Sequence, residues 1–147
     1  MSTVEIDIDR PRREVWEGLV DAESYPKWLI GAQKVDAPPE WPNPGASFSH
    51  RIGAGPLRIP GSTTSRDLVE PTRFRLTAGM GPLGQADVTF ELEELSPDRT
   101  RVRMSERPDD GIVRASDRLA HPVVDRMIDL RNTASLKRLR DHLAAGD

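Results

Sequence analysis

Two titratable residues lie in phase with apolar residues of predicted strands, where a protein could hold an acid or a base. His50 shares its strand face with Phe48, and Glu106 continues the face of Met104. An imidazole or a carboxylate among apolar side chains can orient a polar ligand atom or transfer a proton. The alternatives are a core histidine bonded to the backbone and a strand-end glutamate in solvent. A structural ion pair between Glu106 and Arg131 is a further alternative.

The other residues that could bind a metal ion or attack a substrate do not form a complete set. His121 and Asp125 are spaced i, i+4 on the predicted last helix, a spacing that can chelate a metal ion. No third histidine or glutamate follows at a fitting distance, so we predict no metal site and a polar helix face at the rim of a cavity. The chain has no cysteine, which excludes thiolate zinc sites and a cysteine nucleophile. Its glycine-containing turns do not lead into a helix, so neither a phosphate-binding loop nor a cofactor is predicted.

Composition limits the class of protein and its partners. The 147 residues suffice for one domain, 1–147, that buries roughly 70% of its unfolded surface. With 21 basic and 24 acidic residues the net charge is −3, and the scattered arginines form no basic patch for nucleic acid. No apolar run approaches the roughly 18 residues of a membrane span, and no signal peptide is visible. We therefore expect a cytoplasmic protein.

Hydrophobic periodicity predicts the elements that must position these residues. The first strand, 4–8, alternates apolar and acidic residues, and a short amphipathic helix starts at Pro11, with a second short turn of helix over 25–29. After a proline-rich loop at 38–45, about six alternating segments joined by short turns predict an antiparallel meander with one apolar and one charged face. After the turn signals of Asp109-Asp110-Gly111 the period changes to 3.6, and residues 119–143 are predicted to form one long helix. The predicted fold class is α+β.

The predicted last helix carries two apolar stripes on opposite sides, and a single sheet cannot cover both. The first stripe contains Leu119, Val123, Met127 and Leu130, and the second contains Leu136, Leu139 and Leu143. We expect the chain itself to cover the first stripe, through a kink at Pro122 or through the 38–44 loop. The alternatives are a homodimer and an apolar surface that binds a partner protein.

Several motifs, in their order and spacing, resemble the SRPBCC superfamily of START-like, helix-grip proteins. These motifs are the run at 10–29 with its Val-Trp and Tyr-Pro-x-Trp, the corner at 70–74, the hairpin at 92–104 and the closing helix at 131–139. Arg99 stands where the family hairpin usually has glycine. The segments 41–50 and 104–111 resemble a polyketide cyclase/dehydrase-like branch of actinobacterial proteins.

The resemblance implies a helix-grip fold, in which a curved antiparallel sheet of about six to seven strands wraps around the long C-terminal helix. Two short helices follow the first strand. It also implies binding of a hydrophobic small molecule, polyketide-like or lipid-like. The chemistry would be acid–base-assisted cyclisation or dehydration, with His50 and Glu106 transferring protons and apolar walls holding the substrate folded. The alternatives are a lipid or quinone carrier or sensor without turnover, and a protein-interaction module of the chaperone-ATPase-activator type.

A cavity between the sheet and the last helix is the predicted ligand site. Its predicted lining consists of inward-facing strand residues, one helix stripe and two tryptophans: Trp28, Trp41, Phe48, Leu76, Val88, Phe90, Met104, His121, Val124 and Ile128. For Trp41 two alternatives stay open, because three prolines stiffen its loop without setting its direction. The indole either roofs the cavity or plugs the space under the loop.

Overall fold

A computed structural model describes the backbone of residues 2–30, 32, 35–54, 57–79 and 84–145. Side chains are described over the same residues except 50–60 and 109–124. In this part of the chain the elements are β1 (Ser2–Ile8), α1 (Arg12–Val20), a 3-10 turn (Ala22–Ser24), α2 (Tyr25–Trp28), β2 (Ser47–Ala54), β3 (Leu57–Val69), β4 (Arg73–Gly79), β5 (Gln85–Ser96), β6 (Arg99–Asp110) and α3 (Gly111–Ala145).

The strands form one curved antiparallel sheet in the order β1-β6-β5-β4-β3-β2. The consecutive strands β2 to β6 pair as neighbours, and β1 adds to the far side of β6. The helices α1 and α2 connect β1 to β2, the two edge strands, and α3 packs against β1, β6 and α2. The predicted α+β helix-grip fold is therefore confirmed.

The two faces of the sheet differ as strand geometry requires, because successive side chains point to opposite sides. On β5 the inward residues Ala86, Val88, Phe90 and Leu92 are buried. On the outer face, Asp7 and Glu5 of β1 lie directly opposite Arg101 and Arg103 of β6 and form ion pairs with them. The hydrogen bond from Arg101 lowers the pKa of Asp7, and the charge of Arg101 acts in the same direction. Charged pairs therefore cover the solvent side of β1 and β6, whereas the inward side of β5 is apolar.

The last helix differs from the prediction at its start. It begins at Gly111, earlier than the predicted 119, and continues through Pro122 to Ala145. The turn signals at 109–111 mark the end of β6, and the helix follows that strand without an intervening loop. At the other end of the chain, α1 begins at Arg12, so Pro11 precedes the first helical residue.

The expected cover over the first apolar stripe of α3 is wrong where side chains are described. Met127 and Leu130 are each 65% exposed, whereas Leu136 and Leu139 are fully buried. A helix docked on one sheet turns one side towards it, and here that side belongs to the second stripe. Leu119 and Val123 lie outside the residues with described side chains.

Candidate functional site

A cavity of about 110 Å³ lies between the inner face of the sheet, the α2 region and α3. Its described lining comes from five strands, from α2 and the segment after it, and from α3: Tyr25, Trp28, Leu29, Ile30, Ala32, Val35, Phe48, Thr63, Leu76, Ala78, Ala86, Val88, Phe90, Met104, Glu106, Arg131 and Asn132. Most of these side chains are apolar. The cavity is therefore suited to a ligand with a largely apolar surface.

The aromatic wall of the cavity uses its polar atoms within the protein. The Trp28 indole N–H donates to Ser24 Oγ at 3.0 Å, and the Tyr25 hydroxyl donates to the Leu19 carbonyl at 2.8 Å. The two rings meet edge to face, with centroids 5.4 Å apart. Burial raises the pKa of the Tyr25 hydroxyl well above its usual value, so this group stays neutral. Both residues therefore present apolar surface to the cavity.

One polar cluster interrupts the apolar lining and joins the sheet to α3. Glu106 on β6 lies opposite Val88 of β5, and its carboxylate Oε1 accepts from the Arg131 guanidinium at 2.5 Å. The same oxygen accepts from Asn132 Nδ2 at 3.3 Å. The Asn132 Oδ1 in turn accepts from Arg131 Nε at 3.3 Å, which closes a three-residue network. The side chain of Glu106 is 8% exposed and that of Arg131 is 39% exposed, so the network extends from the cavity towards solvent.

The period-2 alternation of β6 explains why a carboxylate faces inward. Val102, Met104 and Glu106 are all buried, whereas Arg103 and Arg107 between and after them are exposed. A buried carboxylate needs a charge partner and hydrogen-bond donors. Arg131 and Asn132, one after the other on α3, supply both. This geometry holds the carboxylate in place and favours ligand anchoring over free proton transfer at Oε1.

The structure brings six of the predicted ligand-binding residues to the cavity wall. These are Trp28, Phe48, Leu76, Val88, Phe90 and Met104, joined there by Glu106. The side chains of His50, His121 and Val124 lie outside the described residues; the backbone of His50 is in β2, opposite Gly61. Ligand binding and catalysis by all these residues stay predictions.

Trp41 and Ile128 are not among the described residues that line the cavity. The Trp41 ring packs edge-on against Phe48, with centroids 4.7 Å apart, and also contacts Phe74. Its indole N–H donates to the Val20 carbonyl at 3.1 Å. Of the two alternatives for Trp41, this arrangement is the plug under the proline-rich loop. Ile128 is half-buried on α3.

Sequence reasoning missed several lining residues, and one of them had a readable signal. Asn132 precedes the buried Leu136 and Leu139 by four and seven positions and is 1% exposed. A polar residue on a buried helix stripe must find a hydrogen-bond partner, which would have directed attention to the inward Glu106. Four other lining residues had no such signal, because they lie outside the helices and longer strands and only the tertiary structure decides where they dock: Leu29, Ile30, Ala32 and Val35.

The described part of the chain contains neither a metal-binding cluster nor a membrane-spanning helix. Among the described residues, no three His, Asp or Glu side chains are grouped so that they could hold a metal ion. The structure does not describe the side chain of His121, so it does not test the pairing of His121 with Asp125. No helix in the described residues is long and apolar enough to cross a bilayer.

Solved structures share this fold at low sequence identity. A conserved protein from Geobacillus kaustophilus is 17% identical with a TM-score of 0.75, over 97% of this chain and 93% of that one. A protein from Thermus thermophilus is 14% identical with a TM-score of 0.73, over 99% and 98% of the two chains. The Zhui aromatase/cyclase from Streptomyces sp. R1128 is 14% identical with a TM-score of 0.69, over 97% and 92%. At these identities the likeness establishes the fold alone.

Sequence comparison is more specific about the family. No curated protein sequence matches this chain significantly. The family model for activator of Hsp90 ATPase homolog 1-like proteins matches residues 9–143, which is most of the chain. The match, the helix-grip topology and the shared fold of the aromatase/cyclase agree with one another. The chain belongs to the activator of Hsp90 ATPase homolog 1-like family, within the SRPBCC superfamily.

Proposed function

We propose that this protein binds a hydrophobic small molecule in the cavity between the sheet and α3. The observation that carries the proposal is a space of about 110 Å³ with a mostly apolar lining and one polar network. Native interiors leave few voids larger than a water molecule, which needs about 10–15 Å³. An engineered cavity of about 150 Å³ admits benzene, so a space of this size suits one small ring or a short aliphatic segment.

A void of this size costs the folded protein contact energy that a ligand would restore. Removing core atoms typically destabilises by about 24 cal/mol for each Å³ of cavity left behind. A ligand that fills the void regains dispersion contacts and removes its own apolar surface from water. These terms favour binding without any reaction, so the proposal includes a carrier or sensor as well as an enzyme.

An acid–base reaction is the finer form of the proposal. The aromatase/cyclase structures share the fold, and their names connect that fold with ring-forming chemistry. In this chain Glu106 is the inward acid–base candidate with a described environment, and Arg131 and Asn132 hold it. Such restraint supports orienting a substrate more directly than it supports proton transfer. In this finer form His50, whose side chain lies outside the described residues, is the second candidate for proton transfer.

Direct detection of a bound molecule tests the proposal. Native mass spectrometry of the protein purified from its own host would show a mass addition, which denaturing mass spectrometry would then release and identify. In parallel, benzene titrated into the purified protein and followed by isothermal calorimetry should give saturable binding at one site. A protein that carries no adduct and shows no heat of benzene binding would contradict the proposal.

A second candidate function has one specific observation in its favour. Met127 and Leu130 lie one turn apart on α3 and expose 65% of their surface, which is apolar area that a partner protein or a second copy could cover. The family is named for activators of the Hsp90 ATPase, so an Hsp90 chaperone is the partner to try first. The assay is the ATPase rate of a purified Hsp90 with and without this protein. Sedimentation at micromolar concentration tests a homodimer.

Met127→Glu is the variant for both assays. It places a charge in the exposed apolar surface and should abolish ATPase stimulation or dimerisation. Leu95 of β5 is another exposed apolar residue, and Leu95→Glu is the matched control that should leave both unchanged. A wild-type protein that sediments as a monomer and leaves the ATPase rate unchanged would remove this second candidate.

A further inference from the structure

The carboxylate of Glu106 uses one oxygen within the protein and leaves the other without a partner among the described residues. Both hydrogen bonds that it accepts, from Arg131 and Asn132, end on Oε1. Oε2 accepts no hydrogen bond from any residue that the structure describes. The side chain of Glu106 is more than nine-tenths buried and lines the cavity. The Glu106 carboxylate is therefore part of the wall of a largely apolar cavity.

An oxygen in that position needs a donor, because leaving a buried acceptor unsatisfied costs about 1–3 kcal/mol or more when it is charged. The aromatic neighbours cannot supply one, since the Trp28 N–H and the Tyr25 hydroxyl already donate elsewhere. Water or a group on the ligand can supply that donor. A ligand donor would replace water at Oε2 while its apolar body fills the rest of the cavity.

The charge balance of the site also limits the net charge that a ligand can carry. Arg131 is the basic side chain among the described lining residues, and its guanidinium bonds both Glu106 and Asn132. Its positive charge is therefore balanced by the Glu106 carboxylate. A ligand carboxylate or phosphate would bring a second negative charge next to Glu106, and like charges in a partly buried site repel each other. The site consequently favours a neutral ligand.

We propose that the ligand is a neutral, mostly apolar molecule with a hydroxyl group at one end, and that this hydroxyl donates a hydrogen bond to Glu106 Oε2. The inference rests on the proposed function, because it assumes that the cavity is the binding site. It adds a chemical class to that function: an alcohol or phenol binds, and a fatty acid anion or a pure hydrocarbon binds less well. Glu106 is then the residue that determines specificity.

Four monocyclic probes separate the inference from the function on which it rests. Benzene reports access to the apolar cavity, phenol adds a donor, anisole keeps the oxygen but removes the donor, and benzoate adds a negative charge. Calorimetric titration of the wild-type protein at neutral pH should show phenol binding at least about tenfold more tightly than anisole, the lower end of what a hydrogen bond to a charged group contributes. Benzoate should bind more weakly than phenol.

Glu106→Gln converts the free acceptor into a donor at nearly constant shape. The amide oxygen can replace Oε1 opposite Arg131 and Asn132, and the NH₂ group then occupies the place of Oε2. Phenol affinity should fall about tenfold, anisole affinity should rise or stay level, and benzene affinity should change less than twofold. Glu94→Gln removes a carboxylate from the exposed part of β5 and should leave all four affinities unchanged. The thermal unfolding midpoint of each variant verifies that it is folded.

The outcomes are distinguishable. If benzene, phenol and anisole bind the wild-type protein equally well, the cavity binds ligands and the inference about the hydroxyl is wrong. The same holds if Glu106→Gln leaves the ratio of phenol to anisole affinity unchanged, or if benzoate binds more tightly than phenol. If none of the four probes binds, the proposed function fails together with the inference. The ratio of phenol to anisole affinity in the wild-type protein tests the inference even if Glu106→Gln does not fold.

Discussion

Replacing Ala86 with leucine should fill the cavity and reverse the usual effect of enlarging a core residue. Ala86 of β5 is buried and lies directly opposite Ala78 of β4, so two small side chains meet at the cavity wall. In a well-packed core an added methylene typically costs about 1–3 kcal/mol of stability, because neighbours must move. Here the new atoms would enter the cavity of about 110 Å³ that the described side chains leave open.

The size of the effect follows from the atoms added. Leucine brings three more carbons than alanine, and burying each contributes about 0.8 kcal/mol, or about 2.4 kcal/mol in total. The leucine side chain loses about 0.5–1 kcal/mol of rotamer entropy on burial. The net expectation is therefore an increase of about 1.5 kcal/mol in the free energy of unfolding. For a chain of this length that raises the thermal midpoint by roughly 3–6 °C.

Urea unfolding measures the predicted gain in stability, and benzene calorimetry measures the predicted loss of binding. Ala86→Leu should be more stable than the wild-type protein and should lose benzene binding, because the new side chain occupies the ligand's space. Ala144→Leu, on the exposed end of α3, controls for the substitution itself and should change neither quantity appreciably. A loss of stability of about 1–3 kcal/mol in Ala86→Leu would show that the site is already packed. Unchanged benzene affinity would show that the ligand binds elsewhere.

Three further predictions concern the supporting structure. Tyr25 is the one tyrosine of the chain, and burial raises the pKa of its hydroxyl above the ordinary 10.0. The stability that the neutral hydroxyl contributes is therefore present below pH 10 and is lost as the pH rises further. Phenolate absorbance should appear only together with loss of circular dichroism, whereas titration near pH 10 in the folded protein would contradict the burial. Gly18→Ala would place a Cβ 2.6 Å from Leu143 Cδ2, the end of a flexible side chain that can move aside. Denaturant unfolding should therefore show a smaller gain in stability than the roughly 1 kcal/mol that alanine contributes over glycine in a helix, and the full gain when Leu143 is alanine. Equal effects in both backgrounds would exclude the clash. Asp7→Asn should reduce stability at neutral pH, because the hydrogen bond from Arg101 lowers the Asp7 pKa below 3.8. That difference should disappear as the pH falls through the lowered pKa, and a difference that persists in acid would refute the assignment.

Much of the fold was predictable because its signals are local. The alternation of apolar and charged residues in 88–92 and 102–106 requires only that side chains of a strand point alternately to two sides. The phase of that alternation also predicted that Glu106 points inward. The long helix was predictable from its 3.6-residue period, although its first residue was not, because propensity signals locate helix ends poorly.

Other properties depend on how the elements dock, and no local pattern contains that information. The two stripes of α3 were both visible, but only the position of the helix on the sheet decided that Leu136 and Leu139 are buried and Met127 and Leu130 are exposed. The sequence left open whether Trp41 roofs the cavity or plugs the space under its loop. The path of the loop decides this, because it places the ring against Phe48.

The sequence by itself determined which residue types lie on which side of each element, since this follows from backbone geometry alone. The tertiary structure decided which of them meet. Arg131 was one open partner for Glu106, and Asn132 became its second partner because consecutive residues of a docked helix reach the same carboxylate. The cavity itself depends on the docking of the elements, because its lining comes from five strands, from the α2 region and from α3.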